Sequence, residues 1–480
     1  MGLYKPNQGH YCASVQVTWS TAPRDLSEPR LPRPGRHLPK KFERAEAMTQ
    51  YDTDVIVVGG GFAGVTAARE LTQQGAAVIL LEARDRLGGR TWTRESGLGK
   101  SLDFGGTWVH WTQPHVWAEI GRYDLPLISS PVAEHALWKV GDEIRHGSPD
   151  VMFDLLDTGM TSVLDGSARL LPNPFHFRPV SDELKALDHI TVAEKIAELN
   201  LDDEQHALVE GMWALNFSGR PEVSAYTQGL RWCALTGGNW HLLFEACATF
   251  KLAGGTKALL DAIAAQSSAD VRLGARVQRI EQDADGATVT LTDGRTFTAR
   301  EVVVTLPLNV LNTIDFAPAL PADIRSVADE GQASTGCKVW VRVRGDVGKV
   351  AGLGPSSCAL NFFQYEYDID GDSLIVAFGR DATRIDITDR DAVESALREW
   401  IPDIEAVAVD GHDWVADDLS QQTWAMLRPN QLVAVQNAAS EPHGHVRLAG
   451  SDYAEGWAGF IDGAIESGKT AAARILQSLR

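Results

Sequence analysis

Apolar residues along the chain follow two patterns: short β-branched runs near both ends and helical spacing in the middle. The run Asp54–Val58 leads into a glycine-rich turn, then a helical stretch to about Gln74, then a second apolar run, Ala77–Leu81. Short apolar runs bounded by turn residues indicate buried strands, and helical spacing between two of them indicates a βαβ unit. The pattern therefore predicts an α/β fold that begins with such a unit.

Helical spacing dominates residues 130–248, and strand patterns return after them. The clearest helices are predicted at Leu184–Leu199 and Asp202–Leu215. Further strands are predicted at Arg276–Gln282, Ala287–Thr292, Glu301–Thr305, Lys338–Arg344, Ser373–Phe378 and Val446–Ala449, and a last helix at Asp462–Leu479.

This order of elements predicts two interleaved domains, since 480 residues are too many for one ordinary core. We expect a Rossmann-like cofactor-binding domain made of residues 51–129, 248–310 and 442–480. A discontinuous α+β substrate domain should be inserted into it as residues 130–247 and 311–441.

The first 50 residues differ in composition from the rest of the chain. They hold six prolines and eight Lys/Arg against four Asp/Glu, and they lack the apolar centre of a secretion signal. We expect residues 1–50 to be a disordered tail. Met48 lies just before the first strand, so the sequence leaves open whether residues 1–47 belong to the native protein.

Charge and cysteine usage narrow the class of protein. A net charge of −20 argues against a nucleic-acid partner and mildly favours cationic ligands, although it also fits any acidic protein kept soluble by its charge. The five cysteines lack metal-type spacing, so neither a metal site nor a disulfide framework is expected. No apolar run reaches the ~18 residues of a membrane helix, so we expect a soluble, cytoplasmic protein. A homodimer is left open.

The glycine-rich turn Gly59–Gly64 is the first candidate site. Gly59 permits a tight turn, Gly61 lets the backbone approach a pyrophosphate, and Gly64 lets helix and strand pack closely. Glu82 ends the next strand, 18 residues after Gly64, where it can accept hydrogen bonds from ribose hydroxyls. Strand, turn, helix and acid together predict dinucleotide binding. The alternative interpretation is a glycine-rich turn in an unrelated α/β unit.

A second glycine turn points to FAD rather than NAD. The run Glu82–Arg90 places an arginine beside two glycines, which suits the same pyrophosphate. This run, the segment Phe104–Trp108 and the later segment Gly450–Ala464 resemble the flavin-containing amine oxidase family, and the resemblance covers residues 52–480. The resemblance implies FAD contacts at Gly59, Gly61, Phe62, Ala63, Gly64, Glu82, Ala83, Arg84, Gly89, Arg90, Gly105, Gly106, Thr107, Trp108, Val277, Ser451, Asp452, Phe460 and Ile461.

The resemblance also implies a catalytic lysine. Lys338 lies on an apolar strand, where a charge is costly to bury without a partner. In the family the matching lysine holds a water against flavin N5 and assists the reaction of reduced flavin with oxygen. The alternative is a solvent-facing lysine, because a period of two places Arg342 and Arg344 on the same side.

Two aromatic residues occupy the positions between which the family binds its amine. Trp424 and Phe460 would present their faces to a neutral amine nitrogen, although each aromatic could equally be core packing. Asn216 matches an asparagine that holds the pyridine ring in 6-hydroxynicotine oxidases, or it could be a helix cap. Lys338, Trp424, Phe460 and Asn216 are therefore the candidate catalytic residues.

Departures from the animal members of the family refine the expectation. Thr423 stands where those enzymes carry the cysteine that binds FAD covalently, so FAD should be non-covalent, and we expect no membrane helix after the last predicted helix. Both features resemble the soluble bacterial branch of the family. Its nicotine-degrading members are resembled in the segments Phe316–Pro321, Val341–Gly345, His412–Asp417 and Trp213–Asn216. Phe460 stands where 6-hydroxynicotine oxidases have tyrosine and nicotine oxidoreductases have asparagine, which leaves the amine open.

The expected activity is oxidation of a secondary or tertiary amine, nicotine-like in character, by hydride transfer to flavin N5. Dioxygen would reoxidise the flavin and give hydrogen peroxide, unless a protein accepts the electrons. Two other enzyme classes are left open: an oxidase of primary amines, polyamines or amino acids, and a flavin desaturase acting on carbon–carbon bonds. A protein that binds FAD without catalysing a reaction is a further alternative.

Overall fold

The structure, a computed structural model, describes residues 51–480, so the expectation for residues 1–50 lies outside the described residues. The strands are β1 Thr53–Val58, β2 Val78–Leu81, β3 Thr93–Glu95, β4 Ser101–Asp103, β5 Trp108–Val109, β6 Leu127–Ser129, β7 His135–Val140, β8 Glu143–Gly147, β9 Phe250–Leu252, β10 Asp270–Arg272, β11 Val277–Gln282, β12 Ala287–Leu291, β13 Thr296–Val304, β14 Asp315–Ala317, β15 Cys337–Val343, β16 Val350–Leu353, β17 Phe362–Ile369, β18 Asp372–Gly379, β19 Ala406–Gly411 and β20 Val446–Leu448. The helices are α1 Phe62–Gln73, α2 Pro114–Arg122, α3 Pro149–Leu164, α4 Ser167–Leu170, α5 Asp182–Lys185, α6 Val192–Ala197, α7 Asp203–Phe217, α8 Tyr226–Ala234, α9 Trp240–Ala246, α10 Gly255–Ala264, α11 Ala322–Glu330, α12 Arg390–Arg398, α13 Leu432–Ser440 and α14 Ile461–Ser478.

One large sheet carries the predicted βαβ unit. Its order is β10-β2-β1-β13-β12-β11-β14, and β20 pairs with β13. Strands β10, β2, β1, β13 and β20 are mutually parallel, and the side chains of β1, β2 and β20 are largely buried, whereas the edge strand β10 is partly exposed. The predicted Rossmann-like α/β fold is confirmed, and its strands come from three separated stretches of chain.

A second sheet of seven strands is mostly antiparallel. Its order is β19-β15-β18-β17-β16-β7-β8, with only β16 and β7 parallel. Helix α12 packs beside β19, and α7 packs against β7 and β16. The predicted domain boundaries follow the change from one sheet to the other only approximately, since β14 belongs to the first sheet, and they stay a prediction.

The predicted strands and the last helix are confirmed to within a few residues, whereas one helix prediction for the middle of the chain is wrong. The helix predicted at Leu184–Leu199 is two short helices, α5 and α6. Thr191 starts α6 with a capping box, in which its hydroxyl and the Glu194 side chain each bond the other residue's backbone N–H. The buried carboxylate of Asp188, bonded to the Thr227 hydroxyl at 2.7 Å and the Leu432 amide at 3.0 Å, holds the turn between them.

Helices α3–α9 confirm the prediction that helical spacing dominates residues 130–248, although not every element in that range is helical. The hairpin β7–β8 lies there, turning at Gly141 with φ +59°. Ala136 and Trp138 on β7 are buried because β16 pairs with that strand. The hairpin is therefore stabilised by a strand more than 200 residues away in sequence. Among residues 51–480, no helix has both the length and the apolar character needed to cross a bilayer.

Candidate functional site

A cavity of about 290 Å³ lies at the carboxyl ends of the parallel strands. Val58, Leu81 and Thr305, at or just after the ends of β1, β2 and β13, line it, and side chains of the seven-stranded sheet line its other side. Open α/β sheets bind ligands at this edge. The topology thus places the candidate site between the two sheets.

The glycine turn lines one end of the cavity as its spacing predicts. Gly59 has φ +102°, a conformation that glycine adopts readily and other residues rarely do. A Cβ on Gly64 would lie 1.9 Å from the Gly59 carbonyl oxygen, so α1 can approach β1 only with glycine there. Gly61 lines the cavity, and a Cβ there would meet no atom nearer than 3.8 Å, the Gly89 Cα. The cradle therefore fits a group that touches backbone, such as a pyrophosphate at the start of α1.

Glu82 lies at the end of β2 and is 4% exposed. One carboxylate oxygen accepts the Gly60 N–H at 2.6 Å, and the other accepts the Arg84 N–H at 2.8 Å. These two bonds hold the carboxylate beside the glycine turn, while each oxygen keeps a lone pair for a further donor. The geometry fits a ribose diol at this end of the cavity.

Arg90 connects the second glycine turn to the C-terminal segment. Its guanidinium donates to the Thr423 carbonyl at 2.7 Å and the Ser451 hydroxyl at 2.9 Å, and it pairs with Asp452. Asp452 is 2% exposed and does not line the cavity; its second oxygen accepts the Leu308 N–H at 2.9 Å. Asp452 therefore orients Arg90 from behind, and its predicted contact with the cofactor stays a prediction.

The N-terminus of the 18-residue helix α14 also faces the cavity. Phe460, at the N-cap, and Ile461 and Ala464, in the first turns, line it. The unpaired N–H groups and the dipole of a helix start favour negative charge nearby. The part of the cavity beside the start of α14 is thus suited to a ring that gains negative charge on reduction.

Lys338 is buried, which excludes the alternative of a solvent-facing lysine. Its ammonium donates to the carbonyls of Asp103 at 2.9 Å and Gly105 at 3.1 Å and to the Thr107 hydroxyl at 2.7 Å. It also lies 5.0 Å from the centre of the Trp108 ring. The exposed end of the same strand face begins only at Arg342.

Burial changes the acid–base behaviour of this lysine. Loss of water lowers the pKa of Lys338 to about 7; the carboxylates of Asp103 and Glu366 oppose this shift and Lys251 adds to it. Lys251 and Glu366 form their own ion pair, and both are 2% exposed. Burial therefore brings the pKa of Lys338 close to neutral pH.

The other end of the cavity is aromatic. Phe460 packs edge-on against Trp232 with ring centres 5.2 Å apart, and Trp424 donates its indole N–H to the Asn216 carbonyl at 2.9 Å. A Cβ on Gly459, the residue before Phe460, would lie 3.6 Å from the Trp424 Cβ. Trp424 and Phe460, the two aromatics predicted to flank the amine, are therefore neighbours, and we call this pair the aromatic cage. The aromatic side chains that line this end are Trp108, Trp232, Phe362, Phe378, Trp424 and Phe460.

Asn216 and Thr423 are the polar residues of this end that the sequence singled out. Asn216 is the penultimate residue of α7, not a cap; it is half-buried and lines the cavity. Within residues 51–480 its side-chain amide makes no hydrogen bond to protein, so it is free to bind a ligand. The Thr423 hydroxyl bonds the Ser218 hydroxyl at 3.0 Å.

The structure brings the predicted residues together around one cavity, apart from Gly64 and Asp452. Sequence reasoning missed Phe362 and Gln364, which lie on one face of β17 and line the cavity beside Phe378. A signal existed: an aromatic run ends at Asp370-Gly371, a hairpin turn with positive φ at both residues, before the predicted strand β18. Trp232 gave no such signal, because an aromatic on a helix is ordinarily core.

The chain belongs to the flavin-containing amine oxidoreductase family, whose pattern matches residues 62–476. Its fold, its FAD cofactor and its class, an oxidoreductase acting on amines, follow from this membership. The glycine cradle, Glu82 and Arg90 fit the FAD that the family uses. Bound FAD supplies an acceptor for a hydride.

Several characterised bacterial proteins resemble this chain over most of its length. It is 35% identical to pseudooxynicotine dehydrogenase of a Pseudomonas species over 437 residues, covering 89% of this chain and 87% of that one. It is 34% identical to nicotine dehydrogenase of Pseudomonas putida, covering 89% of each chain. It is 32% identical to (S)-6-hydroxynicotine oxidase of Paenarthrobacter nicotinovorans, covering 88% of this chain and 100% of that one.

Solved structures share the fold at lower identity. Cyclohexylamine oxidase from Brevibacterium oxydans superposes with a TM-score of 0.76 at 23% identity, over 89% of this chain and 99% of that chain. A putrescine oxidase with bound putrescine superposes with a TM-score of 0.75 at 21% identity, over 88% and 99%. Both likenesses establish the fold alone.

Proposed function

We propose that this protein binds FAD non-covalently and oxidises a secondary or tertiary amine of the nicotine-like, pyridine-bearing kind. The observation that carries the proposal is the composition of the aromatic end of the cavity. Among residues 51–480, six aromatic side chains line it, and its one ionisable side chain is Lys338, apart from two cysteines with raised pKa. An apolar ligand of matching shape is favoured there.

The distribution of charge disfavours the rival substrates. A polyamine carries a second ammonium that needs a carboxylate, and an amino acid carries a carboxylate that needs a guanidinium. The charged residues that line the cavity elsewhere are Glu82, Arg84, Arg90, Arg276 and Asp418, all on the side of the glycine turn. Arg84, Arg90 and Arg276 already have acidic partners, so none is spare for a substrate carboxylate.

Each residue of the aromatic end then has a role. Trp424 and Phe460 would hold the uncharged amine between apolar faces, and bound FAD would accept the hydride that its α-carbon loses. The free amide of Asn216 can bond the pyridine end. Three hydrogen bonds hold the Lys338 ammonium beside Trp108. Through a water, Lys338 would assist the transfer of electrons from the reduced flavin to the acceptor.

Relatives support the substrate class but divide over the electron acceptor. Three of them are named for nicotine, pseudooxynicotine or 6-hydroxynicotine; one is an oxidase and two are dehydrogenases. We propose that dioxygen accepts the electrons and is reduced to hydrogen peroxide, because Lys338 lines the cavity. A protein acceptor is the second candidate.

Anaerobic titration of the FAD-loaded protein tests the substrate. Nicotine, pseudooxynicotine and 6-hydroxynicotine are compared with spermidine, an amino acid and a simple primary amine. We expect bleaching of the flavin by at least one pyridine amine and by none of the others. Reduction by spermidine alone, or by no amine, would contradict the proposal. Admitting air and assaying peroxide then separates dioxygen from a protein acceptor.

Acid precipitation tests the mode of FAD attachment. Thr423 offers no thiol, and burial raises the pKa of Cys337 and Cys247 to about 12, so neither is a ready thiolate nucleophile. We expect all the flavin in the supernatant. Yellow colour retained in the precipitate would identify a covalent bond.

A further inference from the structure

The segment between β19 and the aromatic cage, residues 412–424, runs along the cavity without helix or strand. We call it the strap. Near its middle, Asp418, Leu419 and Ser420 line the cavity on the side of the glycine turn. At its end, Thr423 and Trp424 line the aromatic side. One short stretch of chain therefore contacts both the cofactor end and the amine end.

Two charged residues fix the middle of the strap to the cofactor end. Asp417 accepts bonds from the Arg84 guanidinium at 2.8 and 2.9 Å and from His412 at 2.8 Å. Arg84 also donates to the Ser420 hydroxyl at 3.0 Å. Burial alone would raise the pKa of Asp417, but the bonds from His412 and Arg84 outweigh it and lower the pKa, so the carboxylate stays charged.

The end of the strap is fixed by other groups. The Gln422 side chain accepts the Asn309 N–H at 3.0 Å and donates to Asp452 at 2.8 Å. Arg90 holds the Thr423 carbonyl at 2.7 Å, and Trp424 bonds the Asn216 carbonyl at 2.9 Å. Arg84 and Arg90 thus both line the cavity and hold the strap.

We propose that the strap couples the adenosine end of FAD to the position of Trp424, with Asp417 and Arg84 as positioning residues. Ser420 and Trp424 are only four positions apart in sequence, so a shift of the strap where the adenosine would lie reaches Trp424 over a short length of backbone. Binding that orders residues 418–420 also removes conformational freedom from Trp424 in advance of the amine. The inference rests on the proposed function only in assigning Trp424 to the amine cage.

The FAD-loaded Asp417→Ala protein tests the coupling. The matched control is Asp410→Ala, which breaks a similar Arg–Asp pair, with Arg94 at 2.6 and 3.0 Å, two residues before the strap. Hydrogen exchange of a peptide covering residues 421–424 and the dissociation constant of FAD are measured for both. We expect Asp417→Ala alone to speed this exchange and weaken FAD binding, each by about tenfold.

Two results would overturn the proposal. One is unchanged exchange at residues 421–424 in Asp417→Ala, and the other is an equal change in Asp410→Ala. Neither measurement uses an amine, so a wrong substrate would leave both unaffected.

A second experiment needs no variant. Adenosine is added to wild-type protein stripped of FAD; it carries neither the diphosphate that Arg90 would hold nor the flavin ring. We expect adenosine to slow exchange at residues 421–424 as well as at 418–420, because the coupling runs along the strap. Protection confined to residues 418–420 would mean that the strap transmits nothing.

Discussion

The two ends of the cavity are built differently. The cofactor end is assembled mainly from one local stretch, residues 58–90, and presents backbone N–H groups and a carboxylate held by backbone. The aromatic end takes side chains from widely separated segments, including β15, β17, α7 and the start of α14. A ligand shared by a whole family can be bound by a local motif, whereas the ligand that distinguishes its members is bound by side chains that only the fold assembles.

Electrostatics differ in the same way. Every arginine that lines the cofactor end is paired with an acid, so that end is charged but balanced. The aromatic end has a single ammonium group with a pKa near 7. Changes at the first end should therefore affect cofactor content, and changes at the second should affect rates and substrate choice while the cofactor stays bound.

The largest expected effect is at the cofactor end. Gly64→Ala places a methyl group against the Gly59 carbonyl, so α1 must move from β1. We expect loss of bound FAD and a fall of about 1–3 kcal/mol in the free energy of unfolding. Absorbance at the flavin band and urea denaturation measure these.

Gly121→Ala is the matched control, because a Cβ there meets nothing within 4 Å. It lies in helix α2 and should be neutral or raise stability by about 0.5–1 kcal/mol. Normal FAD content in Gly64→Ala would show that the close approach of helix and strand is dispensable.

Trp424→Ala should have the next largest effect, and at the other end. Opening the cage should slow flavin reduction by amine about a hundredfold, since misplacing the reacting carbon by about 1 Å can have that effect. FAD content should stay near normal, because Arg90 still holds the Thr423 carbonyl. Anaerobic stopped-flow reduction measures the rate.

Trp424→Phe serves as its control, keeping a ring while losing the bond to the Asn216 carbonyl. The rate of flavin reduction by amine in Trp424→Phe should remain within about tenfold of the wild-type rate. Wild-type rates in Trp424→Ala with every amine would identify the aromatic pair as packing.

Lys338→Met separates the two half-reactions. We expect reoxidation by oxygen to slow at least about tenfold while anaerobic reduction changes little, because the ammonium stabilises charge developing on oxygen. The wild-type oxygen reaction should fall as pH rises through about 7, where Lys338 loses its proton, and the variant should lack this dependence. Arg342→Met, on the same face of β15, is the control. Equal slowing of both half-reactions would argue against the assigned role.

The smallest effect is expected from Phe460→Tyr. One added hydroxyl keeps the ring, which packs on Trp232 and Trp457 at 5.2 and 5.0 Å. Rates of flavin reduction should stay within about tenfold of the wild-type rates, with the preference shifted toward hydroxylated pyridines.

Binding of every amine should strengthen as pH rises toward the amine's own pKa, in wild type and variant alike. Tighter binding at low pH would show that the cage takes the cation.

The sequence by itself determined the cofactor end, because its determinants are local. The spacing of Gly59, Gly61 and Gly64 and the acid at the end of the next strand are fixed by the geometry of one βαβ unit. The strands and the last helix were predicted for the same reason, since a period of two or 3.6 persists over each. Resemblance to a family then extended the prediction to Lys338, Trp424, Phe460 and Asn216.

Only the tertiary structure decided what surrounds those residues. Period alone left Lys338 on the same strand face as Arg342 and Arg344, and burial against the segment Asp103–Thr107 became visible only when that segment was packed on β15. Likewise Phe362, Gln364 and the strap reach the cavity through pairings between residues far apart in sequence. Local periodicity records which side chains avoid water, but which of them meet is set by long-range packing, and no single segment contains that information.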